Sequence, residues 1–470
     1  MSDRLADYRQ LVSRKQIAFE PRGFTKWRDL DESLFDHQRH GVEFALRAGC
    51  SAMFYDTGLG KSRMALAWAQ RVVESTNKPV VMLAPLAVGP QHAREAAAID
   101  VDAKVIRHGL EVTTPRIYII NYDRLDKIDE TRFAGVVLDE SSIIKSYTGA
   151  TTRALIATFA KTPYRLACTA TPAPNDHMEL GQHSQFLGAM DSNEMLARWF
   201  IADQNNMGKY RVKKAGANPF WEWVASWARC VSKPSDLGFS DAGFALPELV
   251  VHHHEIAADL SIDAGAEKDG QSRLFRIPEM SATSIHKEKR LTLEARANRI
   301  VESIAAERGE SWVVWVDTND EADAMTARLP KDETVEVRGS QSPDEKEEKI
   351  VAFSEGRARI IVSKSSITGY GLNWQHCARQ AFIGLTFSYE SYYQAVRRSW
   401  RFGQKRPVHV HVACADTERA IFETVTRKAG DHEKMKKQMS AAMSRAVGIS
   451  KVYESYQPSN KGTLPAWLAT

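Results

Sequence analysis

Paired cysteines are missing from this 470-residue sequence: Cys50, Cys168, Cys230, Cys377 and Cys414 are scattered, and none forms a Cys-x-x-Cys pair. That argues against a zinc ribbon or a cysteine-held iron–sulfur cluster and fits free thiols in a reducing compartment. Long apolar runs are missing too, and none approaches the roughly 20 residues that cross a bilayer. The first residues, Met1–Gln16, lack the apolar segment of a signal peptide, so a soluble, intracellular, cytoplasmic protein is expected. Charge of one sign is not in excess either. Sixty-three Lys and Arg stand against 59 Asp and Glu, a net +4, so any anion-binding face has to come from local arrangement. There is no repeat of fixed period and no low-complexity tract.

What the chain does have is a regular alternation of short apolar runs and longer amphipathic ones. The first half carries runs at Ser51–Tyr55, Pro79–Ala84, Arg116–Ile120, Gly135–Leu138 and Tyr164–Cys168. The second carries Trp312–Val316, Thr334–Val337, Arg359–Ser363, Gln380–Ile383 and Val408–Ala413. Runs this short and this rich in Val, Ile and aromatics are expected for parallel strands covered on both faces. Between them, Arg63–Val73 has helical spacing, and Ser342-Pro343-Asp344-Glu345 is a capping-box start for a helix to Phe353. The fold class expected is α/β: two tandem lobes of parallel sheet with flanking helices, the first bearing a helical extension. The expected boundaries are 1–245 for the first lobe (extension about 186–245), 246–290 for a linker, and 291–470 for the second lobe with a helical tail.

One loop carries the chemistry. Asp56-Thr57-Gly58-Leu59-Gly60-Lys61-Ser62 follows an apolar strand and opens a helix, which aims backbone N–H groups and a helix N-terminus at an anion. Lys61 would reach the β- and γ-phosphates of a nucleotide, and the Ser62 hydroxyl would ligate magnesium. Tyr55 stands where the strict phosphate-loop pattern has glycine, and alone the motif also fits a glycine turn beside a surface lysine. Gly135-Val136-Val137-Leu138 then ends in Asp139-Glu140, two carboxylates at the C-terminal end of a buried strand, the edge where ligands bind in open α/β sheets. Asp139 would hold the metal and Glu140 would orient and deprotonate the attacking water.

Further segments fall into order around this pair: Phe35-Asp36-His37-Gln38, Leu83-Ala84-Pro85-Leu86, Asn121-Tyr122-Asp123, Ile144-Lys145-Ser146, and Thr169-Ala170-Thr171-Pro172-Ala173-Pro174-Asn175 with Glu179-Leu180. In the second half come Thr368-Gly369-Tyr370-Gly371-Leu372-Asn373-Trp374 and Gln394-Ala395-Val396-Arg397-Arg398-Ser399-Trp400-Arg401-Phe402-Gly403-Gln404. Over about residues 30 to 415 this set resembles the superfamily-two helicase-like ATPases, specifically the Swi/Snf-type DNA translocases in a compact form found in bacteria and bacteriophages. The chain departs from that family at Ser142, where a His is usual, at Ala170, where Gly is favoured, and at Tyr55.

The resemblance implies two RecA-like lobes, ATP and magnesium as cofactors, and double-stranded DNA as partner; a monomeric motor is the default expectation. It implies nucleotide contacts from Gln38, Thr57, Gly58, Leu59, Gly60, Lys61, Ser62, Gly371 and Gln394, with Gln38 reading adenine. Metal contacts fall to Ser62 and Asp139, and catalysis to Lys61, Asp139, Glu140 and two arginine fingers, Arg398 and Arg401. Nucleic-acid contacts are implied for Pro85, Lys145, Thr171, Asn175, Ser365, Asn373 and Trp374. For Arg397 a solvated helix face is the expectation, and for Trp199, Trp221, Trp223 and Trp227 buried packing is favoured over stacking on a base. His252-His253-His254 lacks a spaced Cys or carboxylate set and reads as a strand rather than a metal site. Asp431–Arg445 reads as a docked amphipathic helix. Two other functions stay open: a strand-separating DNA or RNA helicase, and an ATP-gated scaffold or motor subunit.

Overall fold

The computed structural model describes residues 20–85, 88–174, 176–202, 210–258, 288–369 and 371–447. Ser261–Ser281, expected as a linker, and the basic side chain of Lys209 lie outside these described residues. Two compact units form. One takes the described residues up to Asp241 together with those from His432 onward, and the other takes Ala242–Asp431.

The first unit is built on a seven-stranded parallel sheet in the order β3-β4-β2-β5-β6-β1-β9. Its strands are β1 (Cys50–Tyr55), β2 (Val80–Ala84), β3 (Ala103–Val105), β4 (Ile117–Asn121), β5 (Gly135–Asp139), β6 (Tyr164–Cys168) and β9 (Ala228–Val231). Every residue of β1, β2 and β5 is buried, as helices covering both faces require. Helices Asp36–Ala48, Lys61–Thr76, Gly89–Ala97, Ala150–Thr158 and Leu180–Leu187 connect and cover these strands. Beyond them come the helix Ser192–Trp199, a two-stranded antiparallel pair of β7 (Phe200–Ala202) and β8 (Tyr210–Val212), and the helix Ala217–Trp227. This region does not stand off as a separate helical piece, because the chain re-enters the main sheet as β9 beside β1. Trp199, Trp221, Trp223 and Trp227 are all buried, with Trp199 and Trp223 4.7 Å apart at their ring centres. They are core, and among the described residues here the exposed basic side chains are Arg211 and Lys214.

The second unit holds a six-stranded parallel sheet in the order β10-β15-β14-β11-β13-β12. These strands are β10 (Leu249–Ile256), β11 (Trp312–Val316), β12 (Thr334–Val337), β13 (Ile360–Lys364), β14 (Arg379–Phe382) and β15 (Val408–Ala415). The two-residue period of a strand splits β11 between two cores: Trp312, Val314 and Val316 pack on one face, Val313 and Trp315 on the other. Ser342 caps the helix Pro343–Ser354 through the Glu345 N–H, and the Glu345 carboxylate accepts back from the Ser342 N–H at 2.8 Å. The histidine run lies in β10, where His252 Nε2 is 2.8 Å from His409 Nδ1 and His254 Nε2 is 3.0 Å from His411 Nδ1. No cluster of three or more His, Cys, Asp or Glu suited to a metal occurs among the described residues. The last described helix, Arg419–Val447, runs through the boundary between the units. No described helix is long and apolar enough to cross a membrane.

Candidate nucleotide site

The loop between β1 and the helix Lys61–Thr76 turns through two left-handed glycines, Gly58 (φ 93°) and Gly60 (φ 84°). Glycine adopts this backbone without the Cβ clash that other residues meet, and successive N–H groups in such a turn form an anion-binding nest. Several bonds hold the loop in place. The Asp56 N–H donates to Val231 O at 2.8 Å, tying the loop to β9, and the Asp56 carboxylate accepts from the Thr57 N–H at 2.6 Å. Its second oxygen accepts from Lys436 Nζ at 3.0 Å. Lys61 Nζ donates to the carbonyls of Tyr55 at 2.9 Å and Asp56 at 3.3 Å. Burial lowers the Lys61 ammonium below its ordinary range, against the opposing pull of Glu140, Asp56 and Asp139. The lysine of the loop and the carboxylates that end β5 therefore share one electrostatic neighbourhood.

Gln38 is buried, and its amide is already engaged: Oε1 accepts from the Phe35 N–H at 3.1 Å and Nε2 donates to Leu59 O at 3.0 Å. It braces the glycine loop from the preceding helix. Leu59 and Thr57 are buried, and Ser62 is half-buried at the helix N-terminus.

Asp139 and Glu140 adopt different backbones. Asp139 closes the strand, whereas Glu140 has φ 53°, a left-handed conformation uncommon for a residue with a side chain. Such residues persist where surrounding structure over-determines them and cluster at functional sites. Asp139 is clamped twice. Tyr122 Oη donates to its backbone carbonyl at 2.7 Å, and His92 Nε2 lies 2.8 Å from its Oδ2. Burial disfavours the charged His92 imidazolium, but the charge and hydrogen bond of Asp139 outweigh it, and its pKa is raised. Next along, Ser141 Oγ lies 3.1 Å from His183 Nε2, and burial lowers the His183 pKa to about 4. Two histidines thus reach Asp139 and Ser141 from other elements. Sequence reasoning passed over both, since single histidines on amphipathic helices carry no local signal.

The donor set suits magnesium without enclosing it. A carboxylate at Asp139 and a hydroxyl at Ser62 border the glycine loop, and no cluster of three protein ligands is present among the described residues. Magnesium typically binds one or two carboxylates plus waters and substrate phosphates, so a sparse set is what it needs.

The second unit gathers its own group. Arg398 is buried, with Nε donating to Gln394 O at 2.9 Å, Nη2 to Gln394 Oε1 at 3.0 Å and Nη1 to Leu372 O at 3.0 Å. Arg401 is half-buried and donates to the same Leu372 carbonyl at 3.1 Å. Gly371, beside that carbonyl's residue, has a left-handed φ of 74°. Arg397 corrects the expectation of a solvated face: it is buried, with its guanidinium 5.0 Å from the Trp400 ring centre and 5.7 Å from that of Tyr393.

Residues 295–403 match the helicase conserved C-terminal domain. The matched stretch contains Gly371, Asn373, Gln394, Arg398 and Arg401 and lies wholly within the second unit. No curated protein matches the chain. Among solved structures, the Sulfolobus solfataricus SWI2/SNF2 ATPase core in complex with dsDNA is similar over 90% of this chain and 99% of its own. The identity is 16% and the TM-score 0.41.

The residues expected on nucleic acid are unevenly placed. Asn373 is exposed, and Pro85, Lys145 and Ser365 are half-buried. Asn175 lies outside the described residues. Two expectations are corrected. Trp374 is fully buried, edge-on to Phe353 at 5.2 Å, with its indole N–H donating to Ser354 Oγ at 3.2 Å. Its ring belongs to the second unit's core and offers no face to a base. Thr171 is likewise buried, and its N–H donates to Thr169 Oγ1 at 3.1 Å, so it builds the turn after β6.

Proposed function

We propose that this chain is a helicase-like ATPase of the Swi/Snf type that couples ATP hydrolysis to movement along double-stranded DNA. The observation that carries the ATPase reading is Lys61: it sits at a left-handed glycine loop within the electrostatic reach of Asp56, Asp139 and Glu140. The helicase C-terminal match in the second unit supports a two-lobe motor, and the motif resemblance supports duplex DNA. Loop N–H groups and Lys61 hold the phosphates, Ser62 and Asp139 hold magnesium, and Glu140 orients the attacking water and takes its proton. When bound, magnesium neutralises charge on the transferring phosphoryl group. Arg398 and Arg401 serve as arginine fingers, and Arg401, half-buried, is the more readily redirected of the two. The exposed Asn373 and half-buried Ser365 of the second unit, and Lys145 and Pro85 of the first, each contribute nucleic-acid contacts within their own unit.

Steady-state ATP hydrolysis measured alone and with duplex DNA, single-stranded DNA or RNA tests this. Duplex DNA is expected to stimulate turnover most. Glu140→Gln should lose about 10²–10⁴ in kcat while still binding ATP, and Arg401→Ala about 10³ or more. Stimulation by single strands or RNA instead points to the strand-separating helicase. Tight ATP binding with no turnover on any polymer points to a gated scaffold.

A further inference from the structure

Asp139 is the last residue of β5, and its carboxylate is not aimed by the strand alone. The helix Gly89–Ala97, which follows the neighbouring strand β2, turns three buried residues inward: Gly89, His92 and Ala96. Two are small, which lets the helix lie close, and His92 is the one polar side chain on that face. It is 1% exposed, and its Nε2 reaches Asp139 Oδ2 at 2.8 Å. A helix packing on a sheet needs no imidazole there. An apolar side chain would fill the space without the desolvation that a buried charged pair costs. Tyr122, entering just after β4, fixes the backbone of the same residue. Asp139 is thus held at carboxylate and carbonyl from two other segments of the sheet's edge.

We propose that His92 is a positioning residue of the nucleotide site, holding one carboxylate oxygen of Asp139 so that the other is presented to the divalent cation. The inference rests on the reading of this site as an ATP site. Partners of this kind fix the orientation of a ligating group, and their loss typically costs about 10–100-fold in metal affinity or activity. His92 acts through Asp139 and, at 1% exposure, is itself buried.

The test uses the full chain and its His92→Ala and His92→Asn variants. Mn²⁺ binding in the presence of ADP is followed by electron paramagnetic resonance, and the magnesium dependence of ATP hydrolysis is measured alongside. His92→Ala should weaken Mn²⁺ about tenfold or more, raise the half-saturating magnesium by a similar factor, and recover most of kcat at high magnesium. Metal-free ADP affinity should stay unchanged. His92→Asn, which keeps an N–H donor, should restore part of the loss, and it carries the comparison if His92→Ala does not fold. Wild-type Mn²⁺ affinity in both variants, even with lowered melting temperatures, overturns the proposal and leaves His92 a packing residue. No nucleotide-dependent Mn²⁺ binding by the wild-type chain overturns the ATP-site reading itself, and this inference with it.

Discussion

Gly60 shows how little room the glycine loop has. A Cβ there would lie 2.1 Å from Gln38 Nε2, and φ is +84°. Gly60→Ala should therefore displace Gln38, cost about 1–3 kcal/mol of stability through a strained backbone, and abolish ADP binding; denaturant titration and a fluorescent ADP analogue report the two effects separately. In the second unit Arg296 is fully buried, 2.9 Å from Glu321 and 3.6 Å from Glu418. Truncation to Ala leaves two buried carboxylates without their cation and should cost about 3–5 kcal/mol, read from chemical denaturation. These residues also show what was legible. That Lys61, Asp139 and Glu140 share one neighbourhood could be read from the sequence because a loop and a strand end are local patterns. His92 could not, because its meaning lies in a contact spanning 47 positions. Trp374, implied as a nucleic-acid contact by the resemblance, is buried for a similar reason: only packing decides which side of a motif faces the core.

Among elements, strands with dense apolar runs are recognisable because a parallel sheet buries both faces; β1, β5 and β11 fall almost where those runs lie, and so does the half-buried edge strand β12. The short β3, with residues only half-buried or exposed, and the β7–β8 pair leave no such trace. The capping box at Ser342 was legible down to its partner, and Ser342→Ala should cost about 1 kcal/mol, visible as a shift in urea midpoint. The β10–β15 pair carries a pH consequence. Burial lowers the pKa values of His254, His409 and His411 from the ordinary 6.5, His411 to about 3. Nearby His252 and the cations Arg299 and Arg379 act in the same direction, while Glu307 and Glu248 oppose them at His409. The unfolded chain then binds more protons than the folded one between those values. Stability should be fully present above pH 6.5 and fall as the pH drops toward 3. His411→Phe should flatten that slope, which melting curves across the acid range would reveal.

At the scale of the whole molecule, the first unit is discontinuous. Met435 and Met439 are 3% exposed, and with Lys436 they border the same hollow as Phe54, Asp56, Ala170, Pro172 and Cys230. Met439→Ala should cost about 2–5 kcal/mol. Hydrogen exchange should place the loss in β1 and β9 of the first unit, although residue 439 follows the second unit in sequence. A loss confined to the second unit's strands would mean that the helix does not complete the first. The same arrangement sets a timetable. A ribosome releases the chain in one direction, and domains tend to fold as they emerge. Here Asp56 emerges early and its partner Lys436 only after all of the second unit, so the nascent first lobe must wait with this seam uncovered until the second has been made.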